Sequence, residues 1–163
     1  MNTERDKIRT WISFFMLTLA VSGITAMPAE AELRFLSGSF SPESSTGSWL
    51  LKVYQGICDT NEKYPFLAYG YDWLAFAHLV IAVLFIGPWR DPVRNKWVIE
   101  FGMVACCMIL PFALIAGHFR GIPIGWQMID CSFGVIGLIP LLKVYSLINR
   151  LEKKEKKLNY PVG

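Results

Sequence analysis

The chain has 163 residues, 53% of them hydrophobic, 14% aromatic and 18% charged, with a formal net charge of +3. A soluble domain carries roughly 25% charged residues, whereas here the apolar residues collect in four long blocks between polar segments, which excludes an ordinary soluble domain and points to lipid. The small basic excess lies beside those blocks, so it reads as contact with anionic headgroups and not with nucleic acid.

The first block covers residues 8–27 and has no charge between Trp11 and Met27. At ~1.5 Å per residue it nearly crosses a hydrocarbon core of ~30 Å. A competing reading is a secretory signal peptide, because a basic start, an apolar middle and Ala29-Glu30-Ala31 imitate a cleavage site. The apolar stretch exceeds the ~7–15 residues of such a signal, which favours a retained span.

Residues 28–66 form the sizeable segment outside the membrane, punctuated by Ser37-Gly38-Ser39 and by Ser41-Pro42 through Gly47. Within it Trp49, Leu50, Val53, Tyr54 and Ile57 recur at helical spacing after a Ser48 cap. The expectation is a loop with one short amphipathic helix on the membrane surface.

Three further blocks are long enough to span: 67–88, with Asp72 and His78; 97–117, with Glu100 and Pro111; and 122–145, with Asp130, Pro140 and Lys143. Pro111 and Pro140 predict kinks, since neighbouring helices can satisfy the freed carbonyls. An inner loop at 89–96, an outer loop at 118–121 and a tail at 146–163 complete the chain. The tail's Lys/Glu run reads as a helix end fraying into solvent. The fold class that follows is all-α, a polytopic bundle of four transmembrane helices in a single membrane domain.

Orientation rests on Lys and Arg. Arg5, Lys7, Arg9, Arg90, Arg94, Lys96, Lys143, Arg150, Lys153, Lys154, Lys156 and Lys157 fall on the side of the termini; Arg34, Lys52, Lys63 and Arg120 fall on the other. Twelve against four predicts cytoplasmic termini, and Trp11, Trp73, Trp89, Trp97 and Trp126 lie near predicted span ends, as interfacial aromatics do. Without an Asn-x-Ser/Thr acceptor, a bacterial inner (plasma) membrane is the expected location.

Each span carries a stripe of small or polar residues: Thr18, Ser22 and Thr25; Ala75, His78 and Ala82; Gly102, Cys106, Ala113 and Gly117; Gln127, Asp130, Gly134 and Gly137. These are expected to face one another, because close packing and interhelical hydrogen bonds hold helices together in lipid.

An ionisable group within the hydrocarbon costs roughly 2.5–3.5 kcal/mol, so such groups mark the first places to look for chemistry. Asp72, His78 and Asp130 are candidate catalytic residues, with His78 lying roughly 9 Å deeper than Asp72. With Arg120 they are expected to make an outer-leaflet pocket with His118 and Glu32 at its rim, and Arg120, His118 and Glu32 are its candidate ligand-binding residues. Structural roles compete with these: Asp72 as a helix N-cap, Asp130 bonded to His78 or to a hydroxyl of the first span, Arg120 paired with headgroups, and Glu100 neutralised by Arg90, Arg94 or Lys96. Trp89-Arg90-Asp91-Pro92-Val93-Arg94 reads as a tight polar turn at the headgroups.

Cys58, Cys106, Cys107 and Cys131 lack zinc-site or CxxC spacing, so no metal is expected. His78 and His118 are the sole imidazoles and differ in predicted depth, which disfavours a shared haem; no cofactor is predicted.

These features lead first to an accessory or scaffold subunit of a membrane complex, whose partners would be the bilayer and either another membrane protein or a second copy. The alternative is a membrane-embedded enzyme or binding protein for a lipid-soluble ligand such as a lipid or quinone, with His78 and an aspartate trading a proton. A third reading is an oligomeric transporter. Small multidrug exporters depend on a carboxylate buried in the first span, and this first span has none.

Overall fold

The computed structural model describes residues 2–159 and contains, among them, helices and no strand. In chain order these are α1 (Asn2–Ala26), α2 (Ala29–Gly38), α3 (Ser45–Lys63), α4 (Pro65–Leu84), α5 (Ile86–Arg90), α6 (Lys96–Phe119) and α7 (Ile124–Asn159). Four helical stretches are long and apolar enough to cross a membrane: Thr3–Ala26, Pro65–Arg90, Lys96–Phe119 and Ile124–Lys156. Large apolar side chains stay exposed along them, with Phe112 at 72% and Phe133 at 64%. Such surfaces suit hydrocarbon and not water.

Two compact units divide the chain. One spans Thr18–Ala82; the other combines the chain up to Leu17 with the chain from Val83 onward.

In the second of these units α6 and α7 pack along the small-residue seam expected from the sequence. Gly102, Cys106, Ala113, Gly117, Gln127 and Gly134 are all buried. A Cβ on Gly134 would stand 2.6 Å from the Cys106 carbonyl oxygen, so only glycine permits this approach of the two backbones. The turn between the helices passes through Gly121 at φ 66, a left-handed position that closes α6 by bonds from Gly121 N to His118 O and from Ile122 N to Gly117 O.

The unit's apolar core lies toward the termini, where Ile8, Ile12, Phe85, Val98, Ile99, Leu141, Val144, Ile148 and Leu151 are all but sealed from solvent. Phe15 and Phe85 stack there with ring centroids 4.8 Å apart. Around this core run ion pairs from Arg5 to Glu155 (2.8 Å), Lys154 to Glu4 (2.7 Å) and Lys96 to Glu152 (3.5 Å). The amino end of α1 and the carboxyl end of α7 therefore lie together.

α7 does not fray near residue 146. It continues to Asn159, because Ile148 and Leu151 are buried and its late charges find partners on α1 and α6. Its 36 residues extend about 54 Å, well beyond a ~30 Å core. Glu100 also departs from expectation: Lys96 pairs with Glu152 and lies 4.8 Å over the Tyr145 ring, while Glu100 is exposed. The tight turn forms later than expected, since Trp89 and Arg90 end α5; in it Asp91 Oδ1 accepts from Arg94 N, and Asn95 Nδ2 donates to the carbonyls of Gly87 and Asp91. Arg9 donates to the Trp89 carbonyl and lies over that indole, whose Nε1 donates to Ser13.

The unit Thr18–Ala82 holds the rest of α1 with α2, α3 and α4. The first-span stripe of hydroxyls is not its packing face: Ser22 and Thr25 are exposed, and Thr25 Oγ1 donates back to the Val21 carbonyl of its own helix. Gly23 is the buried residue instead, and a Cβ there would meet the Ala75 carbonyl oxygen at 2.7 Å. On α4, Ala75 and Ala82 are buried and His78 half-buried, as its stripe implied.

The segment between the first two spans contains two helices, α2 and α3, packed on each other, where the sequence suggested one within a loop. The α3 cap is Ser44, four residues before the expected Ser48. Its Oγ accepts from Gly47 N at 3.0 Å, while Ser48 lies within the helix. α4 begins one residue after Tyr64 with Pro65, which lacks an N–H and favours a helix's first turn. Asp72 therefore lies in the third turn of α4 and cannot cap it.

Candidate functional site

The candidate site lies within the unit Thr18–Ala82, where α1 ends, α2 begins, α3 ends and α4 begins. Each of these boundaries has a local cause: Pro28 and Pro65 interrupt the backbone ladder, and the turn between them folds α2 onto α3. Together they enclose an open cavity of about 960 Å³, whose lining includes Met27, Glu30, Arg34, Asn61, Tyr71 and Asp72.

A chain of hydrogen bonds fixes one wall. Tyr71 OH donates to Asn61 Oδ1 at 2.6 Å, and Asn61 Nδ2 donates to Glu30 Oε2 at 2.9 Å, tying α4 to α3 and α3 to α2. The amide of Asn61 is thereby oriented at both ends, and it holds the Glu30 carboxylate in place. Nearby on α3, the Tyr54 phenol is pushed above its ordinary range, first by its hydrogen bond with Cys58 and then by burial, with Arg34 pulling the other way.

A second cavity of about 310 Å³ is lined by Met27, Tyr69, Asp72, Trp73 and Phe76, and so shares Met27 and Asp72 with the first. Its aromatic residues are one or two turns apart on α4 and meet edge to face, Tyr69 to Trp73 at 5.9 Å and Trp73 to Phe76 at 5.8 Å. A larger cavity of mixed lining, with Glu30, Arg34 and Asp72 in its wall, thus adjoins a smaller, mainly apolar one at the membrane-entry end of α4.

Of the residues expected from the sequence, Asp72 is in this site. His78 lies six residues further along α4, with its Cβ near Gly23 and its Nδ1 buried without a hydrogen-bond partner among the described residues. It lines neither cavity. Glu32 is exposed on α2, and it is Glu30, two residues earlier, that faces the cavity. Asp130, Arg120 and His118 belong to the other unit. Asp130 is half-buried on α7, Arg120 caps α6, and His118 is buried little, its ring edge-on to Phe119 at 5.9 Å.

Sequence reasoning missed Glu30, Arg34, Asn61 and Tyr71. The available signal was the spacing of Glu30 and Arg34, which places them on one face of a helix once residues 29–38 are read as helical.

Among the described residues no group of three His, Cys, Asp or Glu is gathered to hold a metal, and the four cysteines are free thiols. The chemistry on offer is recognition by fixed charges and hydrogen-bond acceptors beside an apolar surface. No protein family, characterised protein or solved structure matches this chain.

Proposed function

We propose that this protein is a membrane-embedded binding protein for an amphiphile, which it takes at the edge of the bilayer with the polar part in the larger cavity and the apolar part against Tyr69, Trp73 and Phe76. The observation that carries this reading is the sharing of Met27 and Asp72 by a larger cavity with charged side chains in its wall and a smaller, mainly apolar one. Ligand sites combine such an apolar wall with a few placed polar groups, and volumes of ~300–1,000 Å³ are usual. The charge asymmetry between the two sides supports an inner membrane with both termini cytoplasmic, which would put the site at the outer leaflet.

The test is native mass spectrometry of the protein released from the membrane in mild detergent. The wild type should carry a bound amphiphile. Ala68→Trp, which fills the larger cavity from its wall, should lose that mass while keeping its thermal unfolding transition. If the wild type is free of any amphiphile, the binding reading fails and an accessory or scaffold subunit becomes the better account.

A further inference from the structure

We propose, on the strength of the amphiphile-binding reading, that the headgroup taken by the larger cavity is zwitterionic: a phosphate beside a primary ammonium, as in an aminophospholipid. The lining supplies one guanidinium, Arg34, and two carboxylates, Glu30 and Asp72. Elsewhere the chain uses its charges on each other, as in Arg5–Glu155 and Glu4–Lys154. Among the described residues, neither Arg34 nor Asp72 has an ion-pair partner within 4.0 Å, so both charges are available to a ligand.

A purely anionic headgroup would satisfy Arg34 but stand against two carboxylates. A purely cationic one would do the reverse. A zwitterion meets both signs at once, and its phosphate matches the planar fork of an arginine.

The ammonium is primary because the acceptors are built for N–H donors. Asn61 donates one N–H to Glu30 and accepts the Tyr71 hydroxyl, which leaves the Glu30 carboxylate with acceptor capacity for a further N–H. A trimethylammonium headgroup has the charge but no N–H to give. The ligand is a membrane lipid and not a free zwitterion because the adjoining cavity is lined by aromatic and methionine side chains suited to the first carbons of acyl chains.

The experiment reconstitutes the full chain in nanodiscs containing equal parts of phosphatidylethanolamine, phosphatidylcholine and phosphatidylglycerol, and measures by native mass spectrometry which lipid stays bound on release. Phosphatidylethanolamine should be retained over each of the others by about tenfold, the worth of one charge-assisted hydrogen bond. Glu30→Gln and Asp72→Asn should bring it down toward phosphatidylcholine. Arg34→Gln should weaken all phosphate-bearing lipids alike and leave the ethanolamine-to-choline ratio unchanged. Each variant is first checked for the wild-type unfolding transition, and the near-isosteric changes at Glu30 and Asp72 provide two independent routes to one result. A wild type that retains lipid without preferring the ethanolamine headgroup overturns this inference and leaves the amphiphile reading standing. Displacement of the lipid by free phosphoethanolamine overturns it too, by showing a soluble ligand. Retention of no lipid removes both.

Discussion

A glycine at position 23 leaves a hole in the side of α1 into which the backbone of α4 fits, with the Ala75 carbonyl oxygen 2.7 Å from where a Cβ would stand. Backbone cannot move aside as a flexible side chain can, so Gly23→Val should force the helices apart and cost about 1–3 kcal/mol. A lower unfolding temperature in detergent would show it. Gly70→Ala, inside α4 with nothing within 4 Å, should not destabilise and should add up to about 1 kcal/mol through helix propensity, which makes it the control. This contact was hard to read from the sequence, since one glycine among apolar residues has no period, while Thr18, Ser22 and Thr25 offered a misleading one. The hydroxyl of Thr25 satisfies itself within its own helix and so carries no information about neighbours. The seam of α6 and α7 was legible because its small residues repeat every three or four positions on both helices.

The α2–α3 pair owes its form to a few polar bonds and not to a deep core, since α2 has no buried residue and α3 has two, Gly47 and Leu50. Removing the Ser44 cap by Ser44→Ala should cost about 1 kcal/mol. Hydrogen exchange should then quicken in the first turn of α3 and stay unchanged in α6 and α7. Asn61→Leu should have a wider reach, because it unlinks Glu30 from Tyr71 and with them α2 from α4; exchange along all of α2 should rise. If α2 is as protected in that variant as in the wild type, the hydrogen-bonded wall does not hold the cavity together. The site's position on a segment expected to be mostly loop explains why it was largely illegible. Asp72 was visible as a charge inside an apolar block, but Glu30 and Asn61 are 31 residues apart and only the packing of the unexpected α2 on α3 brings them within bonding distance.

Across the molecule, the four candidate spans were legible from block length alone, because crossing hydrocarbon demands a minimum run of apolar residues whatever the packing. The extent of α7 was not. A Lys/Glu run looks the same whether it frays or pairs, and α1 and α6 supply the charges that decide it. Reversing one partner, Glu155→Lys, should lower thermal stability slightly, and combining it with Arg5→Glu should restore most of the loss; an uncoupled pair would show two additive effects. Those ion pairs join residues 150 positions apart. During synthesis Glu4 and Arg5 therefore lack these partners until Lys154 and Glu155 have been added. A product ending before Lys154 would lack both partners yet keep the described apolar core, whose last member is Leu151, so the pairing of Glu4 and Arg5 is separable from the packing of Ile8 and Ile12.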